Sequence, residues 1–258
     1  MTAIGGAAAS AVPIESPWPV VVGSCLRSLL GQPSDSVVPP RDRRGFDSLM
    51  AHRSLFFAGF IGVLVLAITL VAALPDDITP FEEWGFRVFN DLPDWIEYPG
   101  WPVMQVGSIL AVPILAIGYV VYSRGWQLPT RLALAGTTAW ILAKVLKSLV
   151  ERGRPDVFLS NINLRPAWNG LGFPSGHTAV AFAIAVVLSS TLSRRWRIAV
   201  WVAAIAAGLL RMYTAAHLPL DVLGGWGLGL AVGSIVEIGW RRLADRAAQQ
   251  PEETVLAT

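Results

Sequence analysis

A chain of 258 residues that is 53% hydrophobic and only 15% charged is poorer in charge than a soluble domain, which carries about 25%. Its mean hydropathy is positive. A formal net charge of +2 gives no footing for nucleic-acid binding, and a single cysteine, Cys25, excludes an intrachain disulfide.

Residues 1–50 are rich in Ala, Gly, Ser and Pro and read as a flexible cytoplasmic arm. The apolar patch Trp18–Val22 is too short to span a bilayer. Val22-Gly23-Ser24-Cys25 superficially resembles a lipoprotein cleavage box, but no Lys or Arg precedes it, which also argues against a cleaved signal peptide. Two charge-free runs follow, Ser54–Pro75 and Tyr98–Ser123, each longer than the roughly 20 residues that cross a membrane. Four less pure spans come next, near Leu132–Val150, His177–Leu192, Ile198–Tyr213 and Pro219–Trp240. Lys144 and Lys147 interrupt the third span, Arg211 the fifth and Glu237 the sixth. Charges inside a span usually face a polar cavity or reach an interface.

The expected fold is therefore an all-α integral membrane protein with six transmembrane helices. One domain covers 51–246, and 247–258 form a disordered tail. Basic residues cluster in four segments: Arg41, Arg43, Arg44 and Arg53; Arg124 and Arg131 in the loop after span two; Arg194, Arg195 and Arg197; Arg241, Arg242 and Arg246. Six crossings put all four on one side, which the positive-inside rule makes cytoplasmic, together with both termini. Trp84, Trp95, Trp101 and Trp168 then fall near the outer boundary and Trp126, Trp196 and Trp240 near the inner one, like interfacial aromatic belts.

Three stretches bring charge and histidine to the outer ends of the spans. In Arg211–Asp221, Pro219 suits the first turn of a helix. His217 then precedes span six and Asp221 lies in its first turn, within reach of one imidazole N–H. The carboxylate could orient the ring or merely cap the helix. Pro174-Ser175-Gly176-His177 opens span four, where backbone N–H groups can meet an anion; a plain helix start reads equally well from these residue types. Lys147 and Arg154 supply charge, with Pro155 expected to stop any helix after Arg154. Arg offers phosphate a planar fork and Lys a point charge. Arg152 and Arg165 read as solvated loop residues, so little is expected of Arg152→Ala. Lys144, one turn deeper than Lys147, is an accessory candidate for a second phosphate or the cavity wall, with snorkelling or internal pairing reading equally well.

Taken together, Lys147 with Arg154-Pro155, Pro174-Ser175-Gly176-His177, and Arg211 with His217 and Asp221 resemble the three-part signature of the type 2 phosphatidic acid phosphatase superfamily, in its membrane branch. The resemblance runs from about Lys147 to Asp221 and implies an enzyme hydrolysing lipid phosphates. It makes His217 a nucleophile forming a phosphohistidine, Asp221 its orienting partner and His177 the general acid. Lys147, Ser175, Gly176, Arg154 and Arg211 would hold the phosphate. No metal or other cofactor is implied, and no Cys, His and carboxylate cluster at metal-ligand spacing competes. The family usually has serine where this chain has Leu210, a change expected to tune the site.

The implied partners are the bilayer and a lipid phosphate: polyprenyl diphosphate, phosphatidic acid or phosphatidylglycerol phosphate. The site would face outward from a bacterial inner membrane. A phosphotransferase using the same residues, and a lipid or anion transporter, are the alternatives.

Overall fold

The computed structural model describes residues 41–249 apart from Asp76 and 166–168. The arm as far as residue 40, Cys25, Trp168 and the tail from 250 lie outside the described residues. Among the described residues the chain is entirely helix and loop: α1 Arg41–Ala73, α2 Pro80–Asn90, a 3-10 turn Asp94–Ile96, α3 Glu97–Gln105, α4 Ala111–Ser123, α5 Gln127–Val150, α6 Pro155–Phe158, α7 Gly176–Ser189, α8 Arg194–Tyr213 and α9 Pro219–Gln249. Helix α1 thus begins inside the segment read as an arm.

Four helical stretches are long and apolar enough to cross a membrane: His52–Ala73, Gln127–Phe158, Arg194–Tyr213 and Pro219–Ala247. The first turns Phe56, Phe57, Phe60, Ile68 and Val71 outward. Such a contiguous apolar surface needs lipid or protein against it. Helix α7 differs, being buried without interruption from Thr178 to Val187. A helix apolar on every side belongs in a core, and at 14 residues it extends only about 21 Å, short of the roughly 30 Å of bilayer hydrocarbon.

Small residues let the other helices close on α7. Leu132, Ala135, Ala139 and Ala143 of α5 share one buried cluster with Ala179, Val180, Ala183 and Ile184 of α7. On α9, glycines recur every fourth residue: a Cβ on Gly225 would lie 2.5 Å from the Ser175 carbonyl oxygen, and one on Gly229 would strike that of Ala179. One step around α9, a Cβ on Gly227 would lie 2.7 Å from the carbonyl oxygen of Gly62 in α1. This is the small-xxx-small packing by which helix backbones approach in membranes.

Three local expectations are corrected. The run Tyr98–Ser123 is not one helix; it breaks at 106–110 between α3 and α4. Gly107 sits at the break, against the His177 main chain. Arg131 is not in a loop but in the first turns of α5, where its Nη1 donates to Glu237 of α9 at 3.0 Å. Pro155 does not end a helix; it opens α6 with Arg154 as N-cap, because proline at N1 forfeits no helical hydrogen bond.

Candidate active site

The ends of α5, α7 and α8, the turn before α4 and the loops that carry Arg154 and His217 enclose a cavity of about 310 Å³. Lys144, Lys147, Arg154, Gly176, His177, Arg211 and His217 all line it, and no acidic side chain does. Residues from all three sequence stretches therefore meet in one place.

His217 is placed by the end of α8. The chain leaves that helix at Tyr213 and passes through Ala215 at φ 55°. The N–H groups of Ala216 and His217 both donate back to the Arg211 carbonyl, at 2.9 and 3.2 Å, a capping turn that uses otherwise free helix-end acceptors. Pro219 then starts α9, so the carboxylate of Asp221 accepts the Leu218 N–H at 2.9 Å and lies 3.4 Å from His217 Nδ1. Asp221 is completely buried and His217 nearly so. Burial, reinforced by Lys147, Arg211 and Arg154, holds the His217 imidazole well below its ordinary pKa of 6.5. The ring is thus kept neutral, as attack through a ring nitrogen requires.

Two of the cations, Lys147 and Arg154, are held by carbonyls. Lys147 Nζ donates to Leu171 and Gly172 at 2.6 and 2.5 Å. Arg154 donates from Nε to Gly170 at 2.9 Å and from Nη1 to Ala216 at 2.7 Å. Nη1 of the buried Arg211 meets Met104 Sδ at 3.4 Å. Carbonyl oxygens satisfy N–H groups without cancelling charge, so the cavity keeps a positive surplus. Lys144 is exposed at the cavity wall, its Nζ 5.6 Å from the centre of the Trp140 ring.

Ser175 and Asp221 are not among the lining residues. The Ser175 hydroxyl caps α7, accepting from Thr178 N at 3.5 Å and from Thr178 Oγ1 at 2.8 Å. Its own N–H donates to the Asp221 carbonyl at 2.8 Å. Leu210 also points elsewhere. It lines a small apolar recess with Gly100, Trp101 and Met104 of α3, the helix that brings Met104 to Arg211.

Two arginines expected in solvent are engaged instead, Arg152 buried and Arg165 half-buried. Glu151 closes α5 at φ 53° and turns the chain inward, so the Arg152 side chain is 1% exposed. Its Nη1 and Nη2 form a fork with the Glu82 carboxylate at 3.0 and 2.8 Å, and Nη1 also reaches Asp221 Oδ1 at 3.1 Å. Glu82, on α2, carries no local signal of this contact in the sequence, because 70 positions separate it from Arg152. Arg165 stacks 4.4 Å over the Tyr213 ring and donates to Asn90 O at 2.9 Å and Tyr213 O at 3.0 Å.

A model of the PAP2 superfamily matches residues 128–243. Over 154 residues the chain is 33% identical to the bacitracin transport permease protein BcrC of Bacillus licheniformis, an alignment covering 57% of this chain and 74% of that one. The chain belongs to the PAP2 superfamily. Over 136 residues it is 31% identical to phosphatidylglycerophosphatase B of Bacillus subtilis, covering 49% of this chain and 64% of the relative; it thus spans less than two thirds of that protein's length. Among solved structures, Aquifex aeolicus LpxE superposes on this PAP2 chain with a TM-score of 0.55 and 29% identity, over 59% of this chain and 92% of that one.

Proposed function

We propose that this PAP2 protein hydrolyses a lipid phosphate or lipid diphosphate, without a metal, through a phosphohistidine. The observation carrying this reading is a cavity lined by four cations and two histidines and by no acid, with Asp221 behind one of the histidines. The similarity to a phosphatidylglycerophosphatase supports lipid phosphate as the substrate class.

In the proposed reaction Lys147, Arg154 and Arg211 bind the phosphoryl oxygens and offset the charge that gathers on them, as preorganised electrostatics do elsewhere. The lone pair of neutral His217 attacks phosphorus while the phosphorus–lipid oxygen bond breaks. His177 gives its proton to the departing oxygen. Water then attacks the phosphohistidine, passing a proton to His177; the phosphorus–nitrogen bond breaks and both histidines return to their starting states. Asp221 accepts the Nδ1–H of His217 and offsets the positive charge the ring acquires. We further propose six crossings, with α3–α4 as the second and α7, lengthened by the buried residues 172–175 that lead into it, as the fourth, cytoplasmic termini and a site at the outer face of a bacterial cell membrane. The clustering of basic loop residues supports that orientation.

The name of the Bacillus licheniformis relative raises transport as a second reading. A neutral histidine backed by a carboxylate favours chemistry over passage. Phosphate release by purified protein in detergent with excess chelator, from phosphatidic acid, phosphatidylglycerol phosphate and a polyprenyl diphosphate, separates the two. Release that survives chelation and disappears in His217→Ala is expected. No release from folded protein on any of the three lipids overturns the reading.

A further inference from the structure

We propose that Glu82 and Arg152 are positioning residues for His217, acting through Asp221, so that α2, the helix that follows the first span, is part of the catalytic apparatus. The kinetic half of this inference rests on the phosphatase reading; the geometric half does not.

The path is continuous and buried. Thr79 caps α2, accepting the Glu82 N–H at 3.2 Å, and so fixes the turn that carries Glu82. Both Glu82 oxygens take the Arg152 fork, and Oε1 also accepts Leu220 N–H at 3.2 Å. That N–H belongs to the first turn of α9, where no helical acceptor exists. Glu82 therefore grips both Arg152 and the helix start bearing Asp221. Arg152 Nη1 holds Asp221 Oδ1 at 3.1 Å, while Oδ2 faces His217 Nδ1 and the Leu218 N–H. The two oxygens have separate duties, and the carboxylate cannot rotate without breaking bonds on both sides.

Charge supplies the second half of the argument. Arg152 alone against Asp221 would form a closed ion pair and weaken the carboxylate as an acceptor for the imidazole. Glu82 neutralises Arg152, so the buried triad keeps one net negative charge, and Asp221 directs it toward His217. That favours the tautomer protonated at Nδ1, which leaves Nε2 unprotonated as the nucleophilic nitrogen. The arrangement parallels the outer partners of metal-bound histidines, where their loss costs about 10- to 100-fold.

The chain has three histidines, so ring 15N NMR of histidine-labelled protein in detergent reads His217 directly, with His217→Asn giving the assignment. The wild type should show one neutral tautomer, protonated at Nδ1. Glu82→Gln should mix the tautomers and lower kcat roughly tenfold, with KM changed less than about twofold. The kinetic losses of Glu82→Gln and Asp221→Asn should overlap in the double variant, because both act through one carboxylate. Arg152→Lys, which keeps the charge but loses the fork, should fold and shift the tautomers in the same direction; it decides the matter if Glu82→Gln does not fold. An unchanged His217 spectrum in both variants, or losses that multiply in the double variant, overturns the inference. If the wild type releases no phosphate, the spectra still decide it, so failure of the enzymatic reading and failure of the positioning role are distinguishable.

Discussion

Helices α5 and α9 bury charge at both of their ends, and the two ends are built differently. At the far end Arg131 of α5 meets Glu237 of α9 at 3.0 Å, with Ser190 Oγ 3.1 Å from the arginine and Arg241 3.3 Å from the glutamate. Sixteen residues along each helix, about 24 Å away, Lys147 and Asp221 stand at the site end. There four cations (Lys147, Arg152, Arg154 and Arg211) gather around two carboxylates, Glu82 and Asp221, and both carboxylates are engaged by Arg152. One end matches its acid with neighbouring arginine; the other gathers its carboxylates on Arg152 and holds Lys147 and Arg154 with backbone carbonyls. Buried charge that is locally matched adds little to stability, yet removing one partner is costly. Buried charge in surplus lowers stability and attracts an anion.

Substitutions can break this contrast at either end. The largest effect is expected from His217→Ala, which removes the atom proposed to bond to phosphorus; phosphate release should fall below detection while the protein still folds. His177→Ala should lose roughly 10² to 10⁴ in rate, the scale of general acid catalysis. The loss should be smaller with good leaving groups; equal losses for good and poor ones would remove the acid role. Arg211→Met should cost on the order of 10² to 10³ in kcat and yet raise the melting temperature, because it relieves repulsion at the site end. A lower melting temperature would mean the surplus has been misjudged. At the far end the signs should reverse: Glu237→Ala should lose about 3–5 kcal/mol of stability, read by thermal or denaturant unfolding, with KM unchanged.

The long apolar spans and the three motif stretches were legible because each is local: a charge-free run, a proline at a helix start, a histidine four residues before an aspartate. What escaped depended on turns and on distance. Nothing beside Arg152 in the sequence says that Glu151 adopts a left-handed conformation and sends the next side chain inward. Glu82 lies 70 residues from the arginine it holds. Arg131 reads as a loop charge because its partner, Glu237, lies in another helix 106 residues on. The break between α3 and α4 is hidden by uniform apolarity, since hydropathy alone does not register Gly107 packing on the His177 main chain. The capping role of the Ser175 hydroxyl, which accepts from Thr178, is not distinguished in the sequence from the phosphate-binding role that the resemblance implies.

The smallest expected effect tests the cationic surplus through pH. Burial and the neighbouring cations keep folded His217 neutral well below 6.5, whereas in the unfolded chain it titrates near 6.5. Below that pH the unfolded state therefore binds a proton that the folded state refuses, and stability falls as pH drops. His217→Asn cannot take up that proton, so its melting temperature should fall less steeply than the wild type's as pH decreases from about 6.5. Saturating inorganic phosphate brings negative charge beside the ring and makes its protonation easier, so it should reduce the wild-type slope toward that of the variant. Parallel slopes with and without phosphate would place the anion away from His217, and the cavity would lose its claim to be the site.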